Sequence, residues 1–143
     1  MLFRSGRFVT GWYARVRLND GAVECIAAGQ GPILHYVRAS DSFVTLPTDL
    51  PPMGVLPDDA PDERTVVRMA PGDMLLALTD GYFESEAPAG EQWQQERAEA
   101  LVRSMRDASP RELLDACNEA MRTWCAGRPA ADDRTAIVLK RLG

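Results

Sequence analysis

Met74-Leu75-Leu76-Ala77-Leu78, running into Thr79-Asp80-Gly81, is the stretch on which the fold turns. Five apolar residues without a polar break cannot alternate between a wet and a dry face, so the run predicts a central strand buried on both sides. Such a strand needs neighbours along both edges and a layer over each face. Upstream, residues 8–18 are rich in aromatic and β-branched side chains, and Asn19-Asp20-Gly21 offers the positive backbone angles of a tight hairpin turn. A return strand over 22–28 ends at Gly29-Gln30-Gly31-Pro32, and further strands follow over 33–37 and 43–46, the whole reading as an antiparallel meander. Residues 47–62 carry five prolines and little periodicity and predict a long loop packed on the sheet, followed by a short strand over 65–69 and a turn at Ala70-Pro71-Gly72-Asp73.

Downstream of the apolar run the period changes. Ser109-Pro110-Arg111-Glu112 is a capping box with proline at the first helical position, and Leu113, Leu114, Cys117, Ala120, Met121 and Trp124 then fall on one helical face before Gly127. A more polar helix is predicted over 91–105, with Trp93, Ala98, Leu101, Val102 and Met105 as its buried stripe, and a last strand over 135–139. The fold class is α+β.

At 143 residues, 45% apolar and 26% charged, the chain has the size of one ordinary domain. A net charge of -5 excludes the basic field that dominates binding to phosphate backbones, so nucleic acid is not the expected partner. Cys25, Cys117 and Cys125 form no C-x-x-C pair, and three buried thiols suit a reducing, cytoplasmic setting. No apolar stretch reaches membrane-spanning length, so no membrane contact is expected of this segment. Residues 1–7 are set apart as a non-native or disordered leader, because Leu2-Phe3-Arg4-Ser5 is the translation of a common sequencing-adapter end.

Two places carry chemistry. Thr79-Asp80-Gly81 puts a carboxylate where a rigid strand runs out, with a glycine that permits close approach. Taken alone, Asp-Gly reads as a plain turn. Asp132-Asp133-Arg134-Thr135 stands just before the last strand, and taken alone reads as a solvated loop. Together they say more, since the two helices between them allow the flanking strands to lie side by side. Carboxylates gathered at one sheet end bind hard cations such as Mg²⁺ or Mn²⁺. The single histidine, His35, lies inside a predicted strand and reads as structural, and no serine or cysteine stands in a nucleophile setting.

The order of Phe8-Val9-Thr10, Ala28-Gly29-Gln30-Gly31-Pro32, Leu50-Pro51-Pro52-Met53-Gly54, Ala70-Pro71-Gly72-Asp73-Met74-Leu75-Leu76, Thr79-Asp80-Gly81 and Asp132-Asp133-Arg134-Thr135 resembles the SpoIIE/RsbU branch of the PPM-type protein serine/threonine phosphatases. The resemblance implies that residues 8–143 are the C-terminal part of a four-layer α-β-β-α sandwich of antiparallel-rich sheets. It implies hydrolysis of phosphoserine or phosphothreonine by water activated between two divalent ions, Mn²⁺ or Mg²⁺, on a phosphorylated regulatory protein of the anti-sigma-factor-antagonist type. Carried over position by position, Asp80 and Asp132 match metal ligands, Gly81 follows the first, Asp133 is near the site, and Thr135 is structural. Gln30 stands where the branch has histidine. The family's upstream Gly-Gly-Asp and Gly-Asp-Val…Gly-His-Gly motifs, which supply further ligands, are missing from these residues, so the segment by itself is expected to be inactive. The resemblance leaves room for an upstream sensor domain in a parent protein, and a non-catalytic, protein-binding pseudophosphatase is the alternative reading.

Overall fold

The computed structural model describes residues 7–48, 50–55, 64–130 and 132–143. Their element order is β1 (Gly11–Val16), β2 (Ala22–Ala28), β3 (Ile33–Val37), β4 (Ser42–Leu46), β5 (Thr65–Arg68), β6 (Met74–Leu78), α1 (Asp80–Phe83), α2 (Gln94–Ser104), α3 (Pro110–Trp124) and β7 (Ala136–Lys140). All five residues of β6 are buried, and the strand lies between β3 and β7 in a four-stranded antiparallel sheet of order β4-β3-β6-β7. The remaining strands form a second antiparallel sheet of order β1-β2-β5.

Side-chain alternation divides the core into layers. Leu75, Ala77, Ile33 and Leu46 meet Val23, Cys25 and Val67 between the sheets, with Trp12, Ala14 and Leu139 packed alongside. The opposite parity, Leu34, Tyr36, Met74 and Leu76, faces Val102 and Leu113 of the helices. Each such fully buried large side chain contributes about 1.5–3 kcal/mol over leaving it in water. The layers are thus sheet, sheet and helices. The outer face of the β1-β2-β5 sheet carries Tyr13 and Val66, 68% and 55% exposed.

The capping box forms as the sequence implies. Ser109 Oγ accepts from the Glu112 amide, the Glu112 carboxylate accepts from the Ser109 amide at 2.8 Å, and Pro110 opens α3. Leu113, Cys117 and Met121 are its buried stripe, and burial pushes the Cys117 thiol up to about 11. All three cysteines are buried, and none forms a disulfide.

Three expectations are corrected. The first four strands are not one meander: β2 and β3 do not pair, because the chain crosses from one sheet to the other at residues 29–32. Gly29 has φ +62° there, and a Cβ on it would lie 2.5 Å from the Pro52 ring, so the crossing is packed against the proline-rich segment. Secondly, the first long helix begins at Gln94 rather than 91. Residues 91–93 instead turn back onto the preceding segment, with a Glu86–Gln92 bridge and the Trp93 amide donating to Ser85 O at 2.9 Å. Thirdly, a short helix, α1, forms at Asp80, where no helix was expected. The proline-rich loop does pack on the sheet over its described part, Leu50 and Met53 exchanging backbone hydrogen bonds with Ala27, Gly29 and Val9. Its residues 49 and 56–62, like residues 1–6 of the expected leader, lie outside the described residues.

Candidate functional site

β6 and β7 are in antiparallel register, with Leu78 opposite Ala136, so the residues after the first and before the second meet at one end of the sheet. Two threonines close that end. The Thr79 amide donates to Thr135 O at 3.0 Å, the Thr135 amide donates back to Thr79 Oγ1 at 2.9 Å, and Thr79 Oγ1 lies 3.3 Å from Asp133 O. Beyond this clamp the chain turns into α1, with Asp80 at its first position and exposed.

Gly81 explains how closely the two segments approach. It is buried, and a Cβ built on it would stand 2.2 Å from Asp133 O and 3.0 Å from Asp133 C, closer than any side chain is accommodated. Asp133 thus contributes its backbone to the contact, and its residue is otherwise exposed. Asp132 is also exposed and lines a cleft of about 380 Å³ together with Glu84, Gln92, Arg128 and Arg134.

The two carboxylates are held alike. Asp80 Oδ1 accepts from the Gly81 amide at 2.9 Å, and Asp132 Oδ1 accepts from the Asp133 amide at 2.7 Å. The second oxygen of each accepts no hydrogen bond from the described residues. These are hard oxygen donors on one sheet end, the chemistry that suits Mg²⁺ or Mn²⁺. Among the described residues, no group of three or more His, Cys, Asp or Glu side chains converges as a metal shell, so these two carboxylates are by themselves at most part of one.

Arg134 and Ser85, to which the sequence reading gave no role, brace this corner. Arg134 Nε lies 3.1 Å from both Gly81 O and Ser85 Oγ, and its Nη2 lies 2.8 Å from Ser85 Oγ and 3.2 Å from Cys125 Sγ. Ser85 Oγ donates to Gly81 O at 2.6 Å, and Ser85 O accepts from Trp124 Nε1 at 3.0 Å. The only sequence signal was an arginine set inside an acidic loop. Nearby, burial pushes the Tyr82 phenol above its usual pKa, so it remains a neutral donor to Asn118 Oδ1 at 3.1 Å.

His35 is elsewhere. It pairs with Leu75, well back along β6, and its buried Nε2 lies 3.2 Å from Asp73 Oδ2. Asp73 also accepts from the amides of Arg38 and Ala70, at 2.9 and 2.8 Å, so this pair braces a turn. Gln30 shares a small cleft with Trp12, Thr79 and Thr135, which places it beside the site end of the sheets. Among the described residues no helix is long and apolar enough to cross a membrane.

A family model described as Stage II sporulation protein E (SpoIIE) matches residues 1–142. No curated protein sequence matches significantly. Among solved structures, the chain is similar to the phosphatase domain of the cell fate determinant SpoIIE from Bacillus subtilis, with TM-score 0.70 and 16% identity over 100% of this chain and 61% of that one. It is similar to the SiaA-PP2C domain of Pseudomonas aeruginosa, with TM-score 0.67 and 18% identity over 83% of this chain and 46% of that one. It is likewise similar to a Mycobacterium tuberculosis protein solved as its RsbU and RsbW domains, with TM-score 0.69 and 20% identity over 93% of this chain and 36% of that one. The chain therefore spans at most about three fifths of the length of these structures, and at such identities the likeness is one of fold.

Proposed function

This chain belongs to the SpoIIE family, and from that premise we propose that it forms part of a metal-dependent phosphatase acting on phosphoserine or phosphothreonine of a regulatory protein. The observation that carries the reading is the pairing of β6 with β7, which sets Asp80 and Asp132 at one sheet end, each with one carboxylate oxygen tied to the next amide. Asp80 and Asp132 are the residues that hold a divalent cation, Mn²⁺ or Mg²⁺. When bound, the cation supplies Lewis acidity toward phosphoryl oxygens and makes water more acidic. The chain's own residues hold and orient: the Thr79–Thr135 clamp and the Gly81–Asp133 contact keep the two carboxylate-bearing segments together, and Asp133 serves through its backbone.

The substrate we propose is a phosphorylated protein of the anti-sigma-factor-antagonist kind, a choice supported by the likeness to a protein solved with RsbU and RsbW domains. Two carboxylates rarely hold Mg²⁺ tightly without further ligands, so these 143 residues alone are expected to be inactive, the remaining ligands coming from outside them. A second reading, a protein-binding module without catalysis, is consistent with there being no group of three or more ligand-type side chains among the described residues.

The test is a set of three substitutions in a protein that supplies the remaining ligands. Asp80→Asn and Asp132→Asn should each lower Mn²⁺-dependent hydrolysis of a phosphoserine peptide by more than about 100-fold, because each removes a charge and a ligand. Asp133→Asn should leave most of the activity. Equal loss at Asp133 would put the ligand one residue off, and no Mn²⁺-dependent hydrolysis in the parent would favour the binding module.

A further inference from the structure

We propose that Arg134 is a positioning residue for the cation site, setting the spacing of Asp80 and Asp132 by tying the segment that carries one to the segment that carries the other. The inference rests on the metal-site reading above. Arg134 is two residues beyond Asp132 on the chain. Its guanidinium reaches the carbonyl of Gly81, which directly follows Asp80, at 3.1 Å, and the hydroxyl of Ser85 just beyond α1 at 2.8 Å. The same Nη2 approaches the Cys125 thiol at the C-terminal cap of α3 at 3.2 Å. One side chain therefore bridges the loop before β7, the segment 81–85 and the end of the long helix.

The partners are all neutral. Among the described residues Arg134 makes no ion pair, although Glu84, Glu86 and Asp132 line the same cleft. A planar fork of donors directed at a carbonyl, a hydroxyl and a thiol fixes geometry, which a lysine's single point of donation does not reproduce. On charge alone, a guanidinium in this corner opposes a second cation. Charge and positioning therefore predict opposite signs for the same substitution. Removing a mere like charge tightens cation binding, whereas removing a brace that orients the ligands weakens it, by about 10-fold or more for groups of this kind.

The experiment is a Mn²⁺ titration of a protein that supplies the remaining ligands, followed by the electron paramagnetic resonance signal of the free ion, for the parent, Asp80→Asn, Arg134→Ala, Arg134→Lys, Ser85→Ala and the Arg134→Ala/Ser85→Ala double variant. Metal-free thermal melts and amide exchange at Gly81 and Thr135 accompany it. Arg134→Ala and Arg134→Lys are both expected to bind about 10-fold more weakly. Ser85→Ala should weaken binding less, and its effect should not add to that of Arg134→Ala, since both break one contact. Exchange at Gly81 and Thr135 should quicken in the Arg134 variants. Unchanged or tighter Mn²⁺ binding by a folded Arg134→Ala would overturn the proposal. Should that variant fail to fold, unchanged binding by Ser85→Ala overturns it equally. If the parent and Asp80→Asn alike bind no Mn²⁺, the metal reading fails by itself. Amide exchange then decides about the tie, unchanged protection refuting it and faster exchange upholding it.

Discussion

Replacing Gly81 by alanine is the most economical way to prise the two carboxylate-bearing segments apart. The added Cβ would stand 2.2 Å from the Asp133 carbonyl oxygen, and the neighbour is backbone rather than a side-chain tip that swings away. Bringing that contact out to 3.0 Å, the shortest that real Cβ atoms tolerate, requires a retreat of about 0.8 Å. A retreat of that size lengthens the 3.3 Å approach of Thr79 Oγ1 to Asp133 O and the 3.1 Å contact of Arg134 with Gly81 O beyond hydrogen-bonding distance. Overpacking of this kind costs about 1–3 kcal/mol, which for a domain of this size lowers the thermal midpoint by roughly 3–10 °C. Circular-dichroism melts of the metal-free protein measure the cost, and a Mn²⁺ titration measures the effect on the site, expected to be weaker binding. Gly11→Ala is the control. Its Cβ would meet only the flexible Met53 Cε at 3.1 Å, and a change within about 0.5 kcal/mol is expected. If Gly81→Ala melts and binds Mn²⁺ like the parent, the two segments are not held by that close approach and the account of the site's geometry is wrong.

Asp73→Ala should destabilise by about 3 kcal/mol or more in denaturant titration, because the amides of Arg38 and Ala70 and the His35 ring would lose one buried acceptor together. Ser109→Ala should cost about 1 kcal/mol through the lost cap on α3. The Glu112 half of that cap adds a pH signature: hydrogen bonds from Ser109 hold its pKa below the usual value, so its contribution is present above the unfolded pKa and is lost as pH falls through the folded one. Parent and Glu112→Gln stabilities should therefore converge in acid, and a constant gap would refute the coupling. Buried Cys117, with its pKa pushed up to about 11, should resist a thiol reagent at pH 8 until denaturant is added. Fast native labelling of Cys117 would contradict the packing of α3.

The elements legible in the sequence were those written in local patterns. Residues 74–78, apolar throughout, became the doubly buried β6, and Ser109-Pro110-Arg111-Glu112 became the start of α3. Asn19-Asp20-Gly21 joins β1 and β2 as a hairpin should. The crossing at residues 29–32 was not legible, because whether the next strand pairs with the last or leaves for another sheet depends on which face Val23 and Ile33 bury, and alternation alone does not say. The late start of α2 had the same origin: Trp93 lies at helical spacing from later apolar residues, yet its amide is drawn to Ser85. At the site, Asp80 and Asp132 stood out as acids at strand ends. Arg134 did not, since its contacts with Gly81, Ser85 and Cys125 come from positions 53, 49 and 9 residues away.

The pairing of β6 with β7 also sets when the site comes into being. Asp80 and Asp132 are separated by a long excursion that contains both long helices, and loop closure over about 50 residues opposes their meeting by roughly 3.5 kcal/mol of chain entropy. The helices can form from neighbouring residues, whereas the sheet edge between residues 74–78 and 136–140 is among the most distant contacts of the fold. A collapsing chain is therefore expected to have α2 and α3 before it has two carboxylates at one corner. On the proposed reading, a divalent ion would meet nothing to bind until the last strand docks, so it could not guide the search for the native state. It would act afterwards as a latch, leaving the rate of folding untouched and slowing only the return.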